Sequence, residues 1–268
     1  MIIDIHTHIF PDKIAARSIA VLEGNAGIKA AISGTLDGLL ASAKEGKVDY
    51  CVVMPVVTKP SQFQSVNQFA AELNLSYGEG KEHKLISFGG IHPEASDYKE
   101  ELHVIKELGL QGIKLHPDYQ KTRFDDIRYK RIVEEASRLG LIVLVHAGVD
   151  IGLPEPVHCT PKMAREMLDE VQPEQLILAH YGGYALWNEV EEYLVGQNVY
   201  FDTAYTQGKI SNEQFLRILK NHGANKILFG TDSPWCGQKE SIEWINSLPI
   251  SEEEKAMILG ENAARMLF

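Results

Sequence analysis

Short runs of β-branched and aliphatic residues alternate along the chain with longer stretches of helical periodicity. The strand-like runs are Ile2–His8, Cys51–Val57, Leu85–His92, Gly112–His116, Leu141–His146, Leu176–His180, Val199–Thr203 and Ile227–Thr231. Strands buried on both faces of a parallel sheet read as near-continuous apolar runs, and these eight do. Between them, Asp97 with Glu100, Ser211 with Gln214 and Ser251 with Glu254 predict capping boxes that open helices. Thr160 followed by Pro161 predicts another helix start. Gly140, Gly196, Gly223 and Gly260 fall where helices should stop. The stretch from Phe10 to Gly34 is too long for a simple connection and predicts an added helix or lid after the first strand.

Strand–helix alternation implies a parallel sheet with right-handed crossovers, either closed or doubly wound. No glycine-rich dinucleotide fingerprint follows the first strand, which disfavours the open form. His8, His92, His116, His146 and His180 end predicted strands, and Asp202 and Asp232 end the last two. In a barrel those ends converge on the face that carries active sites. The expectation is an α/β protein with a (β/α)8 TIM barrel, one domain over residues 1–268.

Composition narrows the function. A net charge of −11 disfavours a nucleic-acid partner, which needs basic stripes. No apolar run is long enough to span a bilayer, so no membrane partner is expected. Met1–Asp4 lacks the basic start of a signal peptide. Three separated cysteines (Cys51, Cys159 and Cys236) do not form a disulfide framework, and a cytoplasmic location follows.

Side chains alternate along a strand, so Asp4, His6 and His8 are expected to face the barrel axis together. His146 and Asp232 can complete a metal site with His6 and His8. Imidazole nitrogens with one carboxylate suit zinc, with manganese, iron, cobalt or nickel as other occupants. Lys59, Lys121 and Arg123 follow strands and are candidate carboxylate clamps; Trp235 and Tyr181 are candidate substrate walls. Asp4 lies deeper, as a residue that orients a ligand. Cys159 lacks an adjacent base and reads as incidental.

The motifs DIHTH (Asp4–His8), GGIHP (Gly89–Pro93), GIKLHP (Gly112–Pro117), VHAG (Val145–Gly148), AHYGG (Ala179–Gly183), FGTDSPW (Phe229–Trp235) and GENAARMLF (Gly260–Phe268) resemble the amidohydrolase superfamily. More narrowly they resemble its small-barrel "amidohydrolase 2" branch, which contains aminocarboxymuconate-semialdehyde decarboxylase. The resemblance implies one divalent metal on His6, His8, His146 and Asp232, with His180 as the catalytic imidazole beside it. In two-metal relatives the second ion uses His146 and His180, bridged by a carboxylated lysine, for which Lys114 is the match. Otherwise Lys114 binds a substrate anion, with His116, Arg123 and Trp235 as further substrate-binding residues. A histidine pair at residue six implies a barrel without the added β-sandwich of larger relatives, and the resemblance also implies a homodimer.

The expected activity is hydrolysis of a small-molecule ester, lactone or amide by a metal-activated water, with Asp232 taking the proton. Non-oxidative decarboxylation of a small carboxylic acid needs the same ligands and is the alternative. A metal-dependent phosphoesterase and an inert barrel scaffold are less favoured.

Overall fold

The computed structural model describes residues 1–77 and 84–268. Its strands are β1 (Ile3–Thr7), β2 (Tyr50–Val53), β3 (Lys84–Ser87), β4 (Gly89–Gly90), β5 (Gly112–Leu115), β6 (Ile142–Val145), β7 (Leu176–Leu178), β8 (Tyr200–Asp202) and β9 (Ile227–Leu228). All pair in parallel, in the orders β1-β2-β3 and β4 through β9. The expected third strand is thus two pieces, broken at Phe88, one pairing with β2 and the other with β5. Side chains of the preceding helix, Phe63–Tyr77, stabilise the break. Asn74 Oδ1 accepts from Ser87 N at 2.5 Å, and Asn67 bonds both Gly90 N and Gly90 O at 2.9 Å. At the other end, Ile5 N donates to Phe229 O (2.9 Å) and Thr7 bridges Ser233, which joins β1 to β9. This is the TIM-barrel architecture.

The helices are α1 (Asp12–Ala26), α2 (Leu36–Gly46), α3 (Phe63–Tyr77), α4 (Tyr98–Glu107), α5 (Ile127–Arg138), α6 (Pro161–Val171), α7 (Trp187–Tyr193), α8 (Asn212–His222), α9 (Gln238–Ser247), α10 (Glu252–Ala256) and α11 (Asn262–Leu267). The added element after β1 is α1. Ser251 and Glu254 form a reciprocal capping box, whereas Asp97, Thr160 and Ser211 each supply only the forward half, accepting from a backbone N–H. Gly260 does not stop a helix. It lies in a π-helical turn, Met257–Glu261, between α10 and α11, where a Cβ would press into the Met1 backbone. Glycine is needed there for that close approach.

The core has two parts. One lies between strands and helices; the other fills the barrel, where Ile3, Ile5, Met54, Phe88, Leu144 and Ile177 pack, plugged by Ala263 and Leu267 of α11. No helix among the described residues is long and apolar enough to cross a membrane.

His222, at the end of α8, stacks on Phe201 with ring centroids 4.1 Å apart. Its Nε2 donates to Val199 O (2.9 Å), and its Nδ1 accepts from Gly196 N (3.1 Å). Burial depresses it to about 4, against the help of the Val199 carbonyl. The unfolded chain therefore takes up a proton below about pH 6.5 that the folded chain refuses until about pH 4, so stability falls with pH across that window. Between pH 7 and pH 5 the loss from this group is about 2 kcal/mol. Urea midpoints of wild type and His222→Phe are expected to draw together by that amount over this range; a constant gap would show that His222 is not the group responsible.

Candidate metal centre

The site sits at the C-terminal ends of the strands, just past their last ladder pairs. Its first residues depend on an irregularity in β1. Asp4 pairs with Cys51 and Thr7 with Val53, so three steps on β1 match two on β2, a bulge that re-aims side chains. Asp4 consequently does not share the face of His6, as alternation had led us to expect. It points into the helix layer, where Oδ2 accepts from Gln238 Nε2 of α9 (2.8 Å) and from Thr231 Oγ1 (2.6 Å), and Oδ1 accepts from Thr231 N (3.0 Å). Burial raises its carboxyl to about 7 despite those bonds. Asp4 thus ties β1 to the segment that carries Asp232.

His6, His8 and Asp232 converge. His6 Nδ1 donates to Asp202 Oδ2 (2.8 Å) and His8 Nδ1 to the Met54 carbonyl (2.7 Å). These acceptors fix both tautomers, leaving lone pairs on both Nε2 atoms. The two Nε2 atoms face each other at 3.1 Å, with Asp232 Oδ1 3.4 Å from His6 and 3.3 Å from His8. Three lone-pair donors so close repel one another unless a cation lies among them. The donor set therefore fits a divalent metal. Burial acts to raise the Asp232 carboxyl, but the surrounding imidazoles of His8, His6 and His180 outweigh it and hold it at about 2. Its backbone is left-handed, φ 61°, as is that of His180, φ 58°. Such strain in non-glycine residues is characteristic of functional sites.

Lys114, on β5, is fully buried, and its Nζ lies 2.9 Å from His6 Nε2. Burial lowers it to about 8, against the pull of Asp232 and Asp202. Burial, then the Lys114 charge, drives His6 well below its usual range, so the amine is the donor of this pair.

A second group stands alongside. His180 Nδ1 donates to Ala204 O (2.9 Å), and its Nε2 meets His146 Nδ1 at 3.0 Å. His146 stacks on His116 at 4.2 Å, and His116 Nε2 is 3.4 Å from Asp150 Oδ2. His146 Nε2 is buried without a partner among the described residues. His146 therefore groups with His116 and Asp150, and His180 links it to the His6 side, with ring centroids 5.4 Å from His6.

The amidohydrolase family model matches residues 3–268. The chain belongs to the amidohydrolase-2 family. No curated protein matches this amidohydrolase. Among solved structures, an uncharacterised TIM-barrel protein from Bordetella bronchiseptica superposes with a TM-score of 0.78 at 19% identity, covering 99% of this chain and 98% of its own. 5-Carboxyvanillate decarboxylase from Sphingomonas paucimobilis gives 0.72 at 16% identity, covering 99% and 98%. A dihydroxybenzoic acid decarboxylase from Polaromonas sp. JS666, holding manganese and 2-nitroresorcinol, gives 0.73 at 16%, covering 99% and 96%. At these identities the likeness is one of fold.

Over its metal centre the amidohydrolase holds a cavity of about 840 Å³. Lys114, His116 and Trp235 line it, together with Tyr119, Tyr184 and Tyr205. Arg123 does not. It is solvent-exposed and closed by a two-pronged pair with Asp125, its nearest acid. Lys59 and Lys121 are also exposed, away from the cavity lining. Tyr181 packs in the core instead, stacked on Phe215 at 4.3 Å with its hydroxyl donating to Phe215 O. Cys159 is buried, and burial drives its thiol far up, which suits an inert residue. Sequence reasoning missed Asp150, four residues past His146 in a loop without periodicity, and Asp202 as the partner of His6. Asp202 was visible as a strand-ending acid; its role was not.

Proposed function

We propose that this amidohydrolase is a metal-dependent, non-oxidative decarboxylase of a small planar carboxylic acid. The observation that carries the reading is a metal-suited floor with one buried lysine, set beneath a cavity whose walls are mainly apolar and aromatic. A carboxylate is costly to hold in such surroundings and carbon dioxide is not, so drawing the acid out of water favours loss of the carboxyl group. The decarboxylases that share this fold over 99% of the chain support the same chemistry. They favour it over the ester, lactone or amide hydrolysis expected from the sequence, which would use the same floor.

His6, His8 and Asp232 would hold one divalent ion, with His146 as the fourth ligand implied by the family. Zinc suits the donors, and the manganese in the Polaromonas structure is accommodated by the same types. When bound, the ion polarises substrate oxygens and offsets the negative charge that develops as the carboxyl leaves. With His6 Nε2 so occupied, the Lys114 ammonium is free to bind a substrate oxyanion. At about 8 it is mostly protonated at neutral pH. Asp232 and His180 would serve the proton transfer: as the C–C bond to the carboxyl breaks and carbon dioxide leaves, the electron pair left on carbon would take up a proton passed to it by these groups.

The test is direct. Metal-replete protein incubated with 2,6-dihydroxybenzoate, 5-carboxyvanillate and related hydroxybenzoates is expected to release carbon dioxide mole for mole with acid consumed. Cleavage of p-nitrophenyl acetate or simple lactones, with no carbon dioxide from any acid, would replace this reading with hydrolysis.

A further inference from the structure

The loop after β6 sets an acid into the cavity wall, beside an imidazole from the end of β5. Asp150 and Asp232 are the carboxylates that line the cavity among the described residues, and Asp232 belongs to the metal triad. Asp150 has no part in the chemistry assigned so far. Its position is nonetheless firmly held. Oδ1 accepts from Gly152 N (2.7 Å), the Asp150 carbonyl accepts from Leu153 N (2.9 Å), and Val149 N donates to Tyr184 O (3.0 Å). A side chain fixed by its own loop in this way is pre-organised for what it meets.

The other oxygen of Asp150 is unspent. Oδ2 takes no hydrogen bond from the described residues, and His116 Nε2 stands 3.4 Å from it, longer than a good bond. The tautomer of His116 is set from the far side of its ring, where Nδ1 accepts a long bond from Tyr119 N (3.4 Å). Nε2 therefore carries the hydrogen. With that hydrogen in place His116 has no lone pair to offer an ion, so the group reads as a hydrogen-bonding one and not as a second metal site. What faces the cavity is one donor, His116 Nε2–H, and one acceptor, Asp150 Oδ2, side by side. Their side chains are only 8% and 12% exposed, and both line the cavity.

We propose that Asp150 and His116 form a specificity-determining pair that reads one hydroxyl group of the substrate and rejects its methyl ether. The proposal rests on the decarboxylase reading for the fate of the carboxylate, which is held at the floor by Lys114 and the metal centre. A hydroxyl accepts from His116 Nε2–H and donates to Asp150 Oδ2 at once. Other groups meet only half of the pair. An ether oxygen accepts but cannot donate, which leaves a buried carboxylate oxygen unpaired. An ammonium donates but has no lone pair for His116. A second carboxylate would meet a charge of its own sign.

Metal-replete wild type, Asp150→Asn and Asp150→Ala are compared by titration calorimetry. The probes are 3- and 4-hydroxybenzoate, each set against its own methyl ether. Wild type is expected to bind at least one of the hydroxy acids about 10-fold or more tightly than its ether, as a hydrogen bond to a charged acceptor supplies. In D150A the ratio of the two dissociation constants should fall towards one. D150N should lie between, since its amide oxygen accepts without the charge and its amide N–H can serve the ether. Melting curves verify that both variants fold, and D150N keeps an oxygen for Gly152 N should D150A not. A wild type that distinguishes neither pair of probes, or folded variants that keep the wild-type ratio, overturns the assignment. Carbon dioxide release is read separately. A hydroxyl preference lost on substitution, in a protein that decarboxylates no acid, sinks the decarboxylase reading and leaves the pair assigned; decarboxylation without that preference does the reverse.

Discussion

His8→Ala is expected to lose its metal to a chelator that leaves the wild type loaded, an affinity drop on the order of 100-fold or more. The reason lies in how few donors converge. His8 Nε2 stands 3.1 Å from His6 Nε2 and 3.3 Å from Asp232 Oδ1, so removing it halves the imidazole contribution to the triad. His8 is the variant to choose because it is the more exposed of the two strand-one histidines. Its imidazole is 19% exposed, and only one carbonyl, that of Met54, is left without its donor. His6→Ala would strand both Asp202 and Lys114 in the interior and confuse metal loss with unfolding. Metal analysis after dialysis, with melting curves to verify folding, checks the expectation. Stoichiometric metal retained by His8→Ala would place the ion elsewhere. A companion variant, Asp202→Asn, should weaken binding more mildly, about 10- to 100-fold, because it disturbs the tautomer and orientation of the His6 ring without removing a ligand.

Gly148→Ala is expected to cost about 3 kcal/mol or more of stability, a fall of about 10 °C in Tm. Gly148 has φ 85°, and a Cβ there would overlap the Tyr184 backbone and lie 2.5 Å from the Gly183 carbonyl carbon. The loop after His146 and the loop after His180 meet at this point, through a Gly148–Tyr184 bridge, Val149 N to Tyr184 O (3.0 Å) and Tyr184 N to Ala147 O (2.9 Å). Backbone against backbone has no rotamer by which to yield. Gly109→Ala is the control, since Gly109 is also left-handed, φ 73°, but its Cβ would meet nothing within 4 Å. That change should cost only about 1 kcal/mol. Equal melting temperatures for the two variants would show that handedness, and not the close approach of the loops, makes Gly148 necessary.

Much of this arrangement was legible in the sequence because strand ends and apolar runs are local signals. His8, His116, His146, His180 and Asp232 were placed on one face by counting, and α1 by a connection too long to be a turn. Three features lay beyond that reach. The bulge between Asp4 and Thr7 breaks the alternation on which parity depends, and nothing in DIHTH announces it. The split of the third strand at Phe88 is stabilised by Asn67 and Asn74, whose helical positions give no hint of the strand they bond. Arg123 was a cation after a strand, as a clamp should be, but a loop's direction is set by tertiary packing, and here it turns to Asp125.

The junction of β1 with β9 has a consequence for biosynthesis. Asp4 and Thr231, which tie the two halves of the metal centre together, lie 227 positions apart. A chain emerging from the ribosome completes its histidine pair at His8 but cannot set Asp232 beside it until the intervening strands and helices have been made. Before then the exposed histidines are a weak and unselective trap for any passing metal. Only the finished barrel brings His6, His8 and Asp232 together, so any choice among ions would be made there.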